Sequence, residues 1–293
     1  MNSTQKLPTK KTEFIRLGRI QYMNVEPIYY HLNVMNPIDI QLTVAPPSTL
    51  NQMLSQGQLD ISPVSSVAYA RNQHQWQLLP DLSISCFGPV MSVKLVSRYE
   101  LEHLSQKNII ISSESETAAD LLKLILSNSN IYANFHRKSI PSPGWIEPND
   151  DAALLIGDIA LKYSWENFFP YVFDIGELWT SQTGLPFVFG VWAVRRQYAR
   201  KHPERVNRLL KQLLYSKKQG LNHLNQISEL AAKKLELDIN VCMDYYRKLN
   251  FDLNEQHLKG MSLFFSGLYE QNIIDEPVTI QMNEIREYSS IFC

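Results

Sequence analysis

Short apolar runs rich in β-branched residues alternate with stretches of helical spacing through the first two thirds of the chain. FIRLGRI (14–20), IDIQLTV (38–44), LDISPVS (59–65), SVKLVS (92–97), NIIIS (108–112) and AALLIG (152–157) read as strands. Pro47 and Ser48 open a helix over 48–56, and Ala118, Leu121, Leu122, Ile125 and Leu126 repeat on one helical face. A strand-helix rhythm implies a largely parallel sheet with helices on both faces. From about Pro203 the spacing becomes helical throughout, with helices expected over 225–236, 240–249 and 255–272 and no strand between them. The run FVFGVWAVR (187–195) reads as a buried strand leading into those helices. The expected architecture is α/β and two-lobed, with strand crossings near 92–98 and 187–195. Residues 1–95 and 191–293 would form one lobe and 96–190 the other, with a substrate cleft between them.

Composition narrows the class. A 293-residue chain with 44% hydrophobic and 19% charged residues can bury a core without disulfides or metals. A net charge of -1 makes no global case for nucleic acid or an anionic membrane. Nine Lys or Arg against one Glu over 195–218 read as the solvated face of a helix. The longest apolar run, Leu185 to Val194, is about half of the ~20 residues that a membrane span needs. The leader MNSTQKLPTKKTEF lacks the apolar segment of a secretory signal. Cys86, Cys242 and Cys293 are odd in number and far apart, as in a reducing cytoplasm. The expected setting is cytoplasmic and the expected partner a small molecule.

The common chemical motifs are missing. No two of the eleven glycines are separated by a single residue, so no GxGxxG dinucleotide turn can be written. Neither GxxxxGK[ST] nor GxSxG occurs, and the seven histidines never fall at HxxxH spacing. In open parallel sheets, ligands bind beyond the carboxyl ends of strands, where helix N-termini converge. The segments placed there are QYMNVEP (21–27), SPVSSVAY (62–69), SSESET (112–117) and Asp158. They carry hydroxyls and amides but no His, Lys or Cys, a composition suited to holding carboxylates.

The motifs GRIQYMNVEPI (18–28), LDISPVSSVAYA (59–70), SISCFGPVMSVKLVSR (83–98), LLIGDIAL (154–161) and DIGELWTSQTGLPFVFGVWAVRR (174–196) resemble the menaquinone-biosynthetic chorismate dehydratase family. The sister family that makes dihydroxynaphthoate from cyclic futalosine carries Pro-Asn-Asp-Thr after the first strand, where this chain has Tyr22, Met23, Asn24 and Val25. The resemblance implies a fold similar to type II periplasmic solute-binding proteins, turned into a cytoplasmic hydro-lyase. It implies that chorismate loses water to give 3-[(1-carboxyvinyl)oxy]benzoate, the first committed step of the futalosine route, with no metal or redox cofactor. One segment departs: the family's Ser-Arg-Thr-Ser is Ser115, Glu116, Thr117 and Ala118 here. A hydroxyl and a positive charge are exchanged for a negative charge.

Within this frame Asn24 and Ser92 are the candidate catalytic residues. Tyr22, Ser65, Ser66, Ser85, Ser115, Thr117, Asp158, Thr183 and Gly184 are the candidate substrate contacts. Each has a structural alternative. Asn24 and Asp158 suit helix N-caps, Ser113 and Glu116 spell a capping box, and Gly184 with Leu185 and Pro186 suits a hinge. Trp179 and Trp192 suit either a ring contact or plain core. With no tuned base in these loops, the substrate's own enolpyruvyl carboxylate is the expected proton acceptor. Two other readings share the pattern: a non-catalytic binding protein for small anions, and a family member acting on a related cyclic enolpyruvyl acid. The first would need a signal peptide or lipobox, which the leader does not show.

Overall fold

The computed structural model describes residues 14–35, 39–112 and 115–284. The first 13 residues of the leader, Ser113 of the expected capping box and Cys293 lie outside the described residues. The chain begins with β1 (Ile15–Ile20), α1 (Glu26–Met35), β2 (Ile40–Ala45), α2 (Pro47–Ser55), β3 (Ile61–Ser65), α3 (Ser66–Arg71) and β4 (Trp76–Cys86). It continues through β5 (Val93–Ser97), β6 (Asn108–Ile111), α4 (Glu116–Asn128), β7 (Asn134–Arg137), β8 (Ala152–Ile156), α5 (Asp158–Lys162), β9 (Tyr171–Asp174) and α6 (Ile175–Thr183). The last part holds β10 (Phe187–Arg195), α7 (Arg196–Lys201), α8 (Pro203–Asn222), α9 (Leu224–Leu235), α10 (Ile239–Lys248), β11 (Leu249–Asn250) and α11 (Glu255–Glu270).

These strands form two sheets. The first has the order β11-β4-β10-β3-β1-β2 and the second β7-β6-β8-β5-β9. Neither is as parallel as the sequence rhythm implies. The pairs β1-β2, β1-β3, β6-β7 and β6-β8 are parallel, whereas β10 runs antiparallel to both β3 and β4, and β5 antiparallel to both β8 and β9. β10 and β5 are the strands by which the chain enters each sheet from the other, so each arrives from the opposite side; the short β11 is also antiparallel to β4. The passages themselves are not strands: the chain leaves the first sheet through the bends of 87–92 and returns through α6 and the turn after it.

The central strands of the second sheet are apolar on both faces because both faces are covered, whereas the edge strand β2 is largely exposed. Leu95, Ile109, Ile111, Ala152 and Leu154 join the main core, which is continuous with that of the first sheet. The alternating Val96, Ile110, Ala153 and Leu155 join a second cluster around Trp165 and Phe169. The α4 stripe is wholly buried as its spacing predicts. The C-terminal third departs from all-helical in two places: β11 pairs with β4, and beyond α11 the chain runs back to bridge Leu78 with Met282. Trp179 and Trp192 are core residues, their indole N–H groups donating to the Pro186 carbonyl at 3.3 Å and the Tyr29 hydroxyl at 3.1 Å. Among the described residues no helix is long and apolar enough to cross a membrane.

Candidate active site

The carboxyl ends of β1, β3 and β8 and the first turn of α4 converge on one cavity between the two sheets, about 730 Å³ counted with its mouth. Of this, about 110 Å³ is room for the centre of a water-sized molecule. Its wall is mainly apolar, with Ile20, Val64, Ile84, Ile156 and Phe189 on it, and polar groups enter at few points. Of the expected residues, Tyr22, Asn24, Ser65, Ser92, Ser115 and Thr117 line it together. Gly157 is also on the wall, its φ of 67° giving the tight turn that a Cβ would strain. Among the described residues Glu116 is the one charged side chain on the lining.

Asn24 sits in a short 3-10 turn between β1 and α1. Its amide makes no hydrogen bond with any described residue, and its Oδ1 is buried without a partner. A buried carbonyl left unpaired costs ~1–3 kcal/mol, so this one is poised for a donor from outside the protein. Ser92 is pinned by its backbone, its N–H donating to the Val90 carbonyl and its carbonyl accepting from Gly157 N–H, each at 2.8 Å. Asp174 holds the two preceding residues, accepting from Val90 N–H at 2.9 Å and Met91 N–H at 2.6 Å while also capping α6. Burial raises the Asp174 carboxyl above its ordinary range in spite of these donors.

Ser92 Oγ accepts from the Tyr245 hydroxyl at 3.2 Å. On the same strand-end edge of the second sheet, Thr117 Oγ1 accepts from Val67 N–H at 3.1 Å. Neither hydroxyl donates to a described protein group, so each keeps a proton for a ligand. Ser115 differs, because its hydroxyl donates to the Ser112 carbonyl at 2.7 Å. It is the N-cap of α4 but makes no side-chain cap. Ser65 caps α3, accepting from Ala68 N–H at 3.2 Å, and donates to Glu116 Oε2 at 3.3 Å. Glu116 also pairs with Arg71, which reaches on to Asp120.

The other candidates lie elsewhere. Ser66 is fully buried and donates to the Val188 carbonyl at 2.5 Å, tying α3 to β10. Ser85 is fully buried beside Ser83 and donates to the Asn250 carbonyl at 3.1 Å, so β11 takes the hydroxyl expected in the cleft. Thr183 donates back to the Trp179 carbonyl at 2.8 Å, and Gly184 closes α6 in the left-handed conformation, so both terminate a helix away from the cavity. Asp158 follows Gly157 as the first residue of α5 but is not on the lining. Its half-buried carboxyl is raised by desolvation, against the field of Lys234. Phe189, Gly190 and the Tyr245 behind Ser92 were not anticipated; only Phe189 and Gly190 carried a signal, as neighbours within the 174–196 motif. Among the described residues no group of three His, Cys, Asp or Glu could hold a metal ion.

A family model described as menaquinone biosynthesis matches residues 15–270. The chorismate dehydratase of Thermus thermophilus is 30% identical over 270 residues, covering 86% of this chain and 94% of the relative. The 1,4-dihydroxy-6-naphtoate synthase of the same organism is 23% identical over 264 residues, covering 87% and 93%, so the separation from the sister enzyme is one of degree. In the solved structures, the periplasmic aliphatic sulphonate binding protein SsuA from Escherichia coli shares the fold at a TM-score of 0.66 and 14% identity, covering 96% of each chain. The two-sheet architecture is thus periplasmic-binding-protein-like, and the chain belongs to the menaquinone biosynthesis family.

Proposed function

We propose that this protein is a chorismate dehydratase, eliminating water from chorismate to give 3-[(1-carboxyvinyl)oxy]benzoate. The observation that carries the reading is the meeting, on one largely apolar cavity, of an unpaired amide and two hydroxyl donors from opposite sheets. The likeness to the Thermus thermophilus enzyme supports it. The sheet membership of the strands supports two lobes that close over the substrate, with boundaries between β4 and β5 and between β9 and β10, a few residues ahead of the expected division into 1–95 with 191–293 and 96–190. Free, buried Cys86 and Cys242 agree with work in a reducing cytoplasm.

In this reading the C3 proton passes to the substrate's own enolpyruvyl carboxylate as the C4–O bond breaks. The departing hydroxide then takes that proton and leaves as water. The ring becomes aromatic, which supplies the driving force. Asn24 Oδ1 accepts from the C4 hydroxyl, the one O–H that the chorismate dianion retains. Ser92 donates at the reacting edge, and Thr117 with the first turn of α4 holds a carboxylate. The protein contributes orientation and preorganised dipoles rather than a titrating base. The test is to incubate purified protein with chorismate and follow mass. A product lighter by one water with the enolpyruvyl ether intact supports the reading. Chorismate bound but returned unchanged overturns it in favour of a binding protein.

A further inference from the structure

We propose that Tyr245 is a positioning residue that directs the Ser92 hydroxyl proton into the cleft, an inference that rests on the chorismate reading above. Tyr245 lies on α10 and is not part of the cavity wall. It is 4% exposed, and its hydroxyl donates to Ser92 Oγ across a sequence separation of 153 residues. Burial keeps its phenol protonated, and because no other described group accepts that proton, the bond runs from Tyr245 to Ser92.

A serine hydroxyl has one proton and two lone pairs. The Ser92 backbone is already held at both its N–H and its carbonyl, which leaves the hydroxyl rotor as the remaining freedom. Once one lone pair accepts from the α10 side, the proton must point away from Tyr245. No described protein group accepts it, and the cavity lies beside it. Donation into Ser92 also polarises its O–H, strengthening the bond that it gives onward. The arrangement converts a freely turning hydroxyl into an aimed donor, from a helix that the catalytic loops do not contain.

The experiment is a double-mutant cycle of wild type, Tyr245→Phe, Ser92→Ala and the double variant, with kcat and KM for chorismate and the Tm of each protein. Tyr245→Phe should lower kcat ~10-fold with KM near wild type while Ser92 is present, and should change nothing further in the Ser92→Ala background. An equal loss in both backgrounds, or a fall in Tm with kcat unchanged, overturns the proposal while leaving chorismate turnover intact. If wild type binds chorismate without converting it, the same cycle is read in Kd, where coupling supports the positioning and additivity overturns it. Wild type that neither binds nor converts chorismate overturns the functional reading and this inference with it.

Discussion

Truncating Asn24 to alanine should separate turnover from stability. In the unliganded protein Asn24 Oδ1 is buried and unpaired, a penalty of ~1–3 kcal/mol that the substitution removes. Against this stands the packing of a small, partly exposed polar side chain, ~1–2 kcal/mol for such a truncation. The two nearly cancel, leaving a net change within ~1 kcal/mol. For a chain of this size that corresponds to a Tm shift of about 2–4 °C in either direction. The catalytic loss has no such offset: removing the acceptor that orients the C4 hydroxyl for departure lowers turnover ~10²-fold. Thermal unfolding without ligand and steady-state turnover of chorismate check the two sides. A fall in Tm well beyond 4 °C that accompanies the loss of activity would refute the reasoning, because Asn24 would then be acting as a turn residue. Unchanged turnover with unchanged Tm would refute it as well.

Two further outcomes follow from particular residues. Glu116→Gln removes the carboxylate from the cavity wall while giving up an ion pair with Arg71 that is 34% and 42% exposed at its two ends. Such a pair contributes at most ~1 kcal/mol, so Tm should hardly move while KM for the dianionic substrate falls, more at low salt than high. A KM that rises or ignores ionic strength would count against this. Burial lowers His257 below its ordinary value of 6.5, so its contribution to stability is complete above pH 6.5 and is lost as the pH drops through the lowered value. His257→Gln should flatten that part of the profile, measured as the urea midpoint from pH 8 to 5, because glutamine retains the capping geometry with Asn254. A profile as steep as wild type would assign the slope to other groups.

The sequence by itself determined the strands and helices that are buried on both sides. β6 and β8 read clearly because a sheet covered on both faces calls for near-continuous apolar runs, and β1 and β3 because their β-branched apolar residues are spaced by few polar ones. The buried stripe of α4 read clearly because its period is local. β4 did not: Pro80 and Asp81 interrupt its pattern, Asp81 takes a φ of 56°, and its pairing with β10 shifts register. β7, NFHR, is mostly exposed and carries no apolar run, and the apolar part of β9 is only the three residues Tyr171 to Phe173. At the site, local chemistry brought Asn24, Ser115 and Thr117 forward as strand-end and helix-start residues and the family resemblance brought Ser92, and the four share one cavity. Whether a particular serine faces that cavity was settled by the tertiary structure alone. Ser85 and Ser92 both flank the same passage, yet β11, arriving from 165 residues away, takes the Ser85 hydroxyl. Tyr245 binds Ser92 from an unrelated helix and leaves its proton toward the cleft. A serine's spacing says which side of its own strand it occupies, but which distant acceptor or donor stands there depends on the packing of the whole chain.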